Sequence, residues 1–529
     1  MKTPARDAFA QQINNAIIAM GGQGEVVVDI STMPEIADFS CAVAFKEAKI
    51  LKRSPAVIAQ AVVDAIGNQL TDVGTISATA GYVNVRLSNT ALVTASAQEY
   101  QPTKQGKILL DFGGPNIAKP MHVGHLRSLV IGDSLSRILS LQGYEVTKDI
   151  HLGDWGFQMG LLLAWQNETH DRPETIEDLE RQYPQAAARA KVDADFNEKA
   201  WKSSQDLQNE VHGVEAWKHM IALSLTSVKD DLSLLGVEFD LMLGESDSHH
   251  KISHMKSLLS QYIVESEGAE IIETHHSGTL VLRNAHGVDL YASTDLATLL
   301  LRQNYTKIIY VVDERQGQYF DKLFEVAHRL TDAELIHAGF GTVNGPDNTP
   351  FKTRAGGVPS LSSLLHAAKT KAAERNATVD SDRVGVAAIK YGDLSNARKT
   401  CYPFDLDKAT SFEGRTGPYL LYQVVRINSI LEGNDINLDA VELEIEDGYG
   451  REVMWQLSQF SERIDKAAKD LEPSILADYA YKLAKSFSQY YSNGPPIREK
   501  SNRLKLASTV ATRLKTLLNL LGIETVSRM

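Results

Sequence analysis

The sequence predicts an α/β protein: a doubly wound parallel sheet, preceded by an N-terminal α+β region and followed by a C-terminal α-helical bundle. Three observations carry this. A short apolar strand, Lys107–Phe112, runs through a Gly-Gly-Pro turn into a helical repeat of Leu126, Leu129, Val130, Leu135, Ile138 and Leu139. A second strand–helix pair follows at 307–312 and 319–330. Beyond about residue 408 the strand patterns fade and helical periodicity alone remains. Strands that alternate with helices favour a parallel, Rossmann-like sheet with helices on its faces.

In residues 1–104, helices and strands mix. Ser54-Pro55 reads as an N-cap with proline at the first helical position, opening a helix through Ala65. Tyr82 to Leu87 alternates as a half-buried strand, and 101–106 (QPTKQG) is a polar linker. Gly143 is a natural stop for the first long helix, and 144–150 reads as the next strand. About 166–260 is polar and mainly helical, an insertion between the two strand–helix pairs. Helical runs at 419–431, 454–471, 475–491 and 504–521 make a bundle. The expected domains are 1–104, 105–407 and 408–529.

A chain of 529 residues is too long for one core. Its 43% apolar and 23% charged content is that of an ordinary globular protein. No apolar run approaches the roughly 18 residues of a membrane span. Asp7, Gln11, Gln12, Asn14 and Asn15 interrupt any signal-peptide core, so a cytoplasmic protein without a membrane partner is expected. Cys41 and Cys401 lie far apart and match no metal-ligand spacing, so no structural metal is expected. The net charge of −13 speaks against a polyanionic partner, but a local patch can outweigh it. From position 480 onward Lys482, Lys485, Arg498, Lys500, Arg503, Lys505, Arg513, Lys515 and Arg528 face only Glu499 and Glu524. That run is either a nucleic-acid surface or a solvated helix face.

The chemistry concentrates at His122-Val123-Gly124-His125, where the first strand turns into the first helix. A helix N-terminus offers unpaired N–H groups and partial positive charge to a phosphate. Gly124 allows close approach of a nucleotide, and His122 and His125 can donate to phosphate oxygens as charge develops. A carboxylate attacking the α-phosphate of ATP needs no general base, so positioning and electrostatics would suffice.

The passage from Asp111 to Ser128, DFGGPNIAKPMHVGHLRS, resembles the arginyl-tRNA synthetase form of the class I "HIGH" region, with Lys119 at the family's upstream lysine. LGDWG at 152–156 with Gln158, YASTDLA at 291–297, YGDLS at 391–395, TGPY at 416–419 and a closing LLGIE at 520–524 resemble further signatures of that family, in order along the whole chain. The resemblance implies a class I synthetase catalytic domain that activates L-arginine with ATP and Mg²⁺ and transfers it to tRNA, as a monomer. It implies that activation requires bound tRNA, that the N-terminal domain touches the tRNA elbow, and that the helical bundle binds the anticodon.

The mobile "KMSKS" element of such enzymes is represented by Pro350 to Gly357, PFKTRAGG, which lacks the usual second lysine. Lys352 and Arg354, with Lys119, are expected to hold the β- and γ-phosphates. For the amino acid, a guanidinium calls for carboxylates in a planar fork. Tyr291 and Asp295 share one face if their segment is helical, so Asp295 can pair the guanidinium while Tyr291 packs on it. A helix-capping Asp295 is the competing expectation. By resemblance, Asp111 is a second carboxylate, at a place where the family often has glutamate, and Asn116 and Gln316 bind the amino acid's backbone groups. In the bundle, Tyr419, Tyr422, Tyr490 and Tyr491 are candidates to stack on bases. Lys46, Lys49, Lys52 and Arg53 are candidates for tRNA phosphate.

Overall fold

The computed structural model describes residues 4–345, 359–434 and 436–529. Lys352 and Arg354 lie outside these residues. By packing, the chain divides into two compact units: Met1–Gln101 with Tyr422–Asp470 and Ile475–Leu517, and Pro102–Leu421 with Leu471–Ser474 and Leu518–Met529. None of the described helices is long and apolar enough to cross a membrane.

In the first unit, a four-stranded antiparallel sheet runs in the order Asp29–Ile30, Phe39–Cys41, Tyr82–Leu87, Gly74–Thr79. Helix Pro55–Ile66 opens at an extended Ser54 with Pro55 in its first turn, although the Ser54 side chain makes no capping bond. Helix Asn89–Ala97 packs on helix Gly448–Ser458. Beside them Arg451 donates to both oxygens of Asp38, at 2.9 and 2.7 Å. The run expected as one helix over 454–471 is two, Gly448–Ser458 and Phe460–Lys469. At the break, Ser458 and Gln459 turn their side chains back onto the Trp455 carbonyl and compete with the helical ladder.

The second unit is built on strands β1 (Lys107–Phe112), β2 (Glu145–Asp149), β3 (Lys307–Val311) and β4 (Glu334–His337). They form one parallel sheet in the order β4-β3-β1-β2. Helix α1 (Val123–Leu141) crosses from β1 to β2, and the chain then returns to the far side of β1 as β3. The winding reverses between β1 and β3, which opens a crevice at the carboxyl ends of the strands. Register places Asp111 beside Asp149 on one side and beside Tyr310 on the other. Past β2, residues 241–244 run parallel to the chain leaving that strand, with Ile150 and Leu152 donating to the Leu241 and Leu243 carbonyls.

The insertion is helical as expected, with Phe157–Thr169, α2 (Ile176–Val192), Ala194–Gln208 and Val214–Leu235. A three-stranded antiparallel sheet over Ile263–Ser266, Ala269–Glu273 and Thr279–Arg283 follows, which the sequence reading did not include. It leads into α3 (Tyr291–Leu299), and β3 leads into α4 (Gly317–Ala327). The closing LLGIE segment belongs to this unit. Ser134 donates to the Leu520 carbonyl at 2.8 Å and Lys390 to the Gly522 carbonyl at 2.6 Å. Gly522 sits at φ +68, where an added Cβ would lie 2.6 Å from Asp133.

Arg127 pins α1 in place. Fully buried, it lies 3.1 Å from Asp393 of α5 (Ser381–Leu394) and donates to the Gly341 and Thr400 carbonyls at 3.0 and 2.6 Å. Removing one partner of a buried pair strands the other charge. Arg127→Met is therefore expected to cost about 3–5 kcal/mol, read as a lower urea midpoint, with unchanged stability as the contrary result.

Candidate active site

The turn from β1 to α1 is held from three sides. Gly113 N–H donates to Ser128 Oγ at 2.7 Å, and that hydroxyl donates to the Val311 carbonyl of β3 at 2.6 Å. Gln158 of the LGDWGFQ stretch donates to the Ile117 carbonyl at 2.9 Å. Ser224 Oγ accepts from Ala118 N–H at 2.9 Å, at a residue with φ +70. Lys119 emerges from this loop half-buried, its ammonium 4.1 Å from the centre of the Tyr183 ring.

The two histidines cap α1 reciprocally. His122 Nδ1 accepts from Gly124 N–H at 3.0 Å, and His125 Nδ1 accepts from His122 N–H at 3.0 Å. Their rings lie 4.2 Å apart. A backbone N–H can only donate, so both Nδ1 atoms are acceptors and each neutral ring carries its proton on Nε2. Burial, then the neighbouring His122, pushes His125 down to about 3, and burial and Lys119 push His122 down as well. Gly124 has a structural reason beyond nucleotide approach: a Cβ there would stand 2.7 Å from the His122 ring and expel it from the cap. The chain returning from residue 358 lies against this motif, with Val123 N–H donating to the Pro359 carbonyl and Leu361 N–H to that of Met121. Val343, on the other flank of the undescribed stretch, packs with Val123 and Tyr402.

Across the crevice, Asp295 is not a cap: the N-cap of α3 is Leu290, and Asp295 lies beyond the first turn. Its Oδ2 accepts a short hydrogen bond from Tyr319 of α4, whose ring is 4.8 Å from that of Tyr291. Tyr291 is 56% exposed and so remains open to a ligand. Burial raises Asp295 to about 6 against the pull of Tyr319. Burial together with Asp295 and Asp154 raises Glu245 to about 8. Among the described residues no cation forms an ion pair with Asp295, Glu245 or Asp154. Gln316 is exposed at the head of α4, one turn before Tyr319. Asn116, also exposed, bridges to Gly153, where an added Cβ would meet its Oδ1 at 2.2 Å.

Asp111, expected as a second carboxylate of the site, already has a cationic partner within the chain. Arg302 donates to Asp111 Oδ2 at 2.7 Å and to Asp149 Oδ2 at 2.6 Å. Burial opposes the Arg302 charge, but Asp111, Tyr310 and Asp149 outweigh it and hold its pKa above the ordinary value. Among the described residues the one group with metal-ligand spacing is Asp111, Asp149 and His151, and the Arg302 guanidinium already supplies its positive charge. Arg302, Tyr319 and Glu245 were missed from sequence. Arg302 looks like one more helix-end cation, and Glu245 lies inside a stretch read as insertion. Tyr319 alone carried a signal, its helical spacing from Gln316.

The C-terminal basic run is mostly exposed, but several of its cations are paired within the protein and Arg503 is buried. Arg503 is buried against Glu446 and Asp447 at 2.8 and 2.9 Å, Arg513 donates to the Gln98 carbonyl, and Arg498 to those of Ser429 and Ile430. Lys482, Lys500 and Lys505 pair with Asp478, Glu446 and Asp439. Tyr490 is core, whereas Tyr422 and Tyr491 are exposed and Arg426 lies 3.9 Å over the Tyr491 ring. Tyr419 is partly buried. In the N-terminal region Lys46, Lys49, Lys52 and Arg53 are all exposed, as are Phe45 and Tyr82, whose rings are 5.0 Å apart.

Residues 87–406 match the family described as tRNA synthetases class I (R), catalytic domain. Residues 420–529 match the DALR anticodon binding domain, and 6–87 the arginyl tRNA synthetase N terminal domain. An arginine–tRNA ligase of Francisella tularensis (strain WY96-3418) is 37% identical over 553 residues, covering 94% of this chain and 95% of that protein. One from Hyphomonas neptunium is 37% identical over 562 residues, with the same coverage. The fold is shared with solved arginyl-tRNA synthetases from Plasmodium falciparum (TM-score 0.82, 24% identity, 99% of this chain and 98% of that one) and Thermus thermophilus (TM-score 0.78, 24% identity, 99% and 100%). Matched in its catalytic domain and aligned with these relatives almost from end to end, the chain belongs to the arginyl-tRNA synthetase family of class I.

Proposed function

We propose that this chain, which charges tRNA with arginine at the expense of ATP, does so in two steps around the α1 N-terminus. The arginine carboxylate attacks the α-phosphate of ATP, which arrives with Mg²⁺ as part of the substrate, and pyrophosphate leaves. The Nε2–H groups of His122 and His125 donate to phosphate oxygens, strongest as charge shifts toward the leaving group. Lys119, with Lys352 and Arg354, neutralises the β- and γ-phosphates. Asp295 receives the guanidinium with Tyr291 stacked on it, while Asn116 and Gln316 hold the amino and carboxyl groups. Asp111 contributes through Oδ1, since Oδ2 is committed to Arg302. A 3′-terminal adenosine hydroxyl then attacks the arginyl carbonyl and AMP departs.

The observation that carries this reading is the reciprocal histidine cap, which fixes two neutral donors at a positive helix end. Bound tRNA is required for the first step, and the chain works as a monomer in the cytoplasm. Three functional regions, 1–104, 105–407 and 408–529, touch the tRNA elbow, carry the chemistry and bind the anticodon. The exposed Tyr422 and Tyr491 support base stacking in the last of these.

Arginine-dependent ATP–pyrophosphate exchange, with and without tRNA and with a lysine control, tests the scheme. Exchange with arginine alone, appearing on addition of tRNA, is expected. His125→Ala should lower it about 10²–10³-fold, the effect of removing one preorganised donor. Undiminished exchange in that variant would remove the phosphate role of the histidine.

Asp295 supplies a pH signature. Its carboxyl must be ionised to hold the guanidinium, so KM for arginine should climb as pH falls through about 6. Asp295→Asn should raise KM by about two orders of magnitude at neutral pH and abolish that climb. A climb that survives the substitution would assign it to another group. His125, neutral down to about 3, contributes no acid limb in this range.

A further inference from the structure

Lys119 has an unusual partner. Its ammonium is half-buried in the loop before the histidine cap, and burial lowers its pKa. Among the described residues no carboxylate pairs with it; the contact it makes is with the face of Tyr183, at 4.1 Å. Tyr183 belongs to α2 of the helical insertion, and α2 contributes no other group to the active site described above. Its ring is itself anchored, packed against the apolar cluster of Leu161, Ala164, Ala186, Phe196 and Ala200.

We propose that Tyr183 is a positioning residue for phosphate binding: its ring holds the Lys119 ammonium beside the histidine cap without neutralising it. This rests on the reading that Lys119 contacts the triphosphate. A lysine on a flexible four-carbon stem must be ordered before it can act on a phosphate. A carboxylate partner would order it but compete with the incoming anion. An aromatic face attracts the cation through its quadrupole and leaves the net positive charge intact. Lys119 is also close enough to lower the pKa of both His122 and His125, so the held position lies within the field of the cap. Helix α2 of the insertion thereby takes part in ATP activation through this ring.

The test is tRNA-supported ATP–pyrophosphate exchange, with KM for ATP and for arginine measured separately, on full-length Tyr183→Leu, Tyr183→Phe, Lys119→Met and the Tyr183→Leu/Lys119→Met double variant. Tyr183→Leu should reduce kcat/KM for ATP about five- to tenfold, the scale of one partly desolvated cation–π contact, and leave KM for arginine unchanged. Tyr183→Phe, which keeps the ring face, should restore most of the loss. The double variant should be no worse than Lys119→Met alone. If Lys119→Met lowers exchange while Tyr183→Leu does not, or if the two losses multiply, the positioning role is wrong. If Lys119→Met itself has no effect, the assignment of Lys119 to the phosphates fails instead. A loss that Phe fails to restore, accompanied by a lower unfolding midpoint, would reduce Tyr183 to a packing residue of the insertion.

Discussion

The bridge from Arg302 to Asp111 and Asp149 is the constraint on which the active-site crevice depends. Parallel register brings two carboxylates side by side at the carboxyl edge of β1 and β2. Buried together, they would repel and neutralise by taking up protons. One guanidinium, 2.7 and 2.6 Å from them, bridges both strand ends and pulls against the burial that raises both carboxyls. It also decides which carboxyl is left for a substrate. Asp295, whose hydrogen-bond partner among the described residues is the Tyr319 hydroxyl, is raised to about 6 by burial.

At the facing edge, the same economy of groups finishes the start of α1. The β1–α1 turn needs its free N–H groups satisfied, and the two histidines do this with their Nδ1 atoms. Fold stability and chemistry are thus joined, because the capping bonds that finish the helix also select the tautomer that presents N–H from Nε2. Burial keeps the rings neutral, so they act as oriented donors and not as extra cations. Positive charge comes from Lys119, and the lack of Cβ at Gly124 lets the His122 ring fold back at all.

Much of this was legible from local patterns. The β1 strand and the strand Tyr82–Leu87 fall at the expected residues, because alternation and apolar runs report burial directly. The helix carrying Tyr291 and Asp295 was a condition of their pairing, and α3 meets it. The basic run near the C-terminus could not be read the same way. Arg503 and Arg513 turn inward onto carboxylates and a carbonyl from distant segments, and nothing in the run itself tells a buried arginine from a solvated one.

The sequence by itself determined the family, the strand–helix pairs around β1 and β3, and the residue types gathered at the α1 N-terminus, since these depend on neighbours along the chain. Only the tertiary structure decided the partners. Arg302 meets Asp111 across 191 positions, Lys119 lies under a ring of the insertion, and the last residues are held by Ser134 of α1 and Lys390 of α5. Each is a long-range meeting of charged or polar groups driven out of water. Their pairing is set by where the fold brings them together, which no periodicity in the chain encodes.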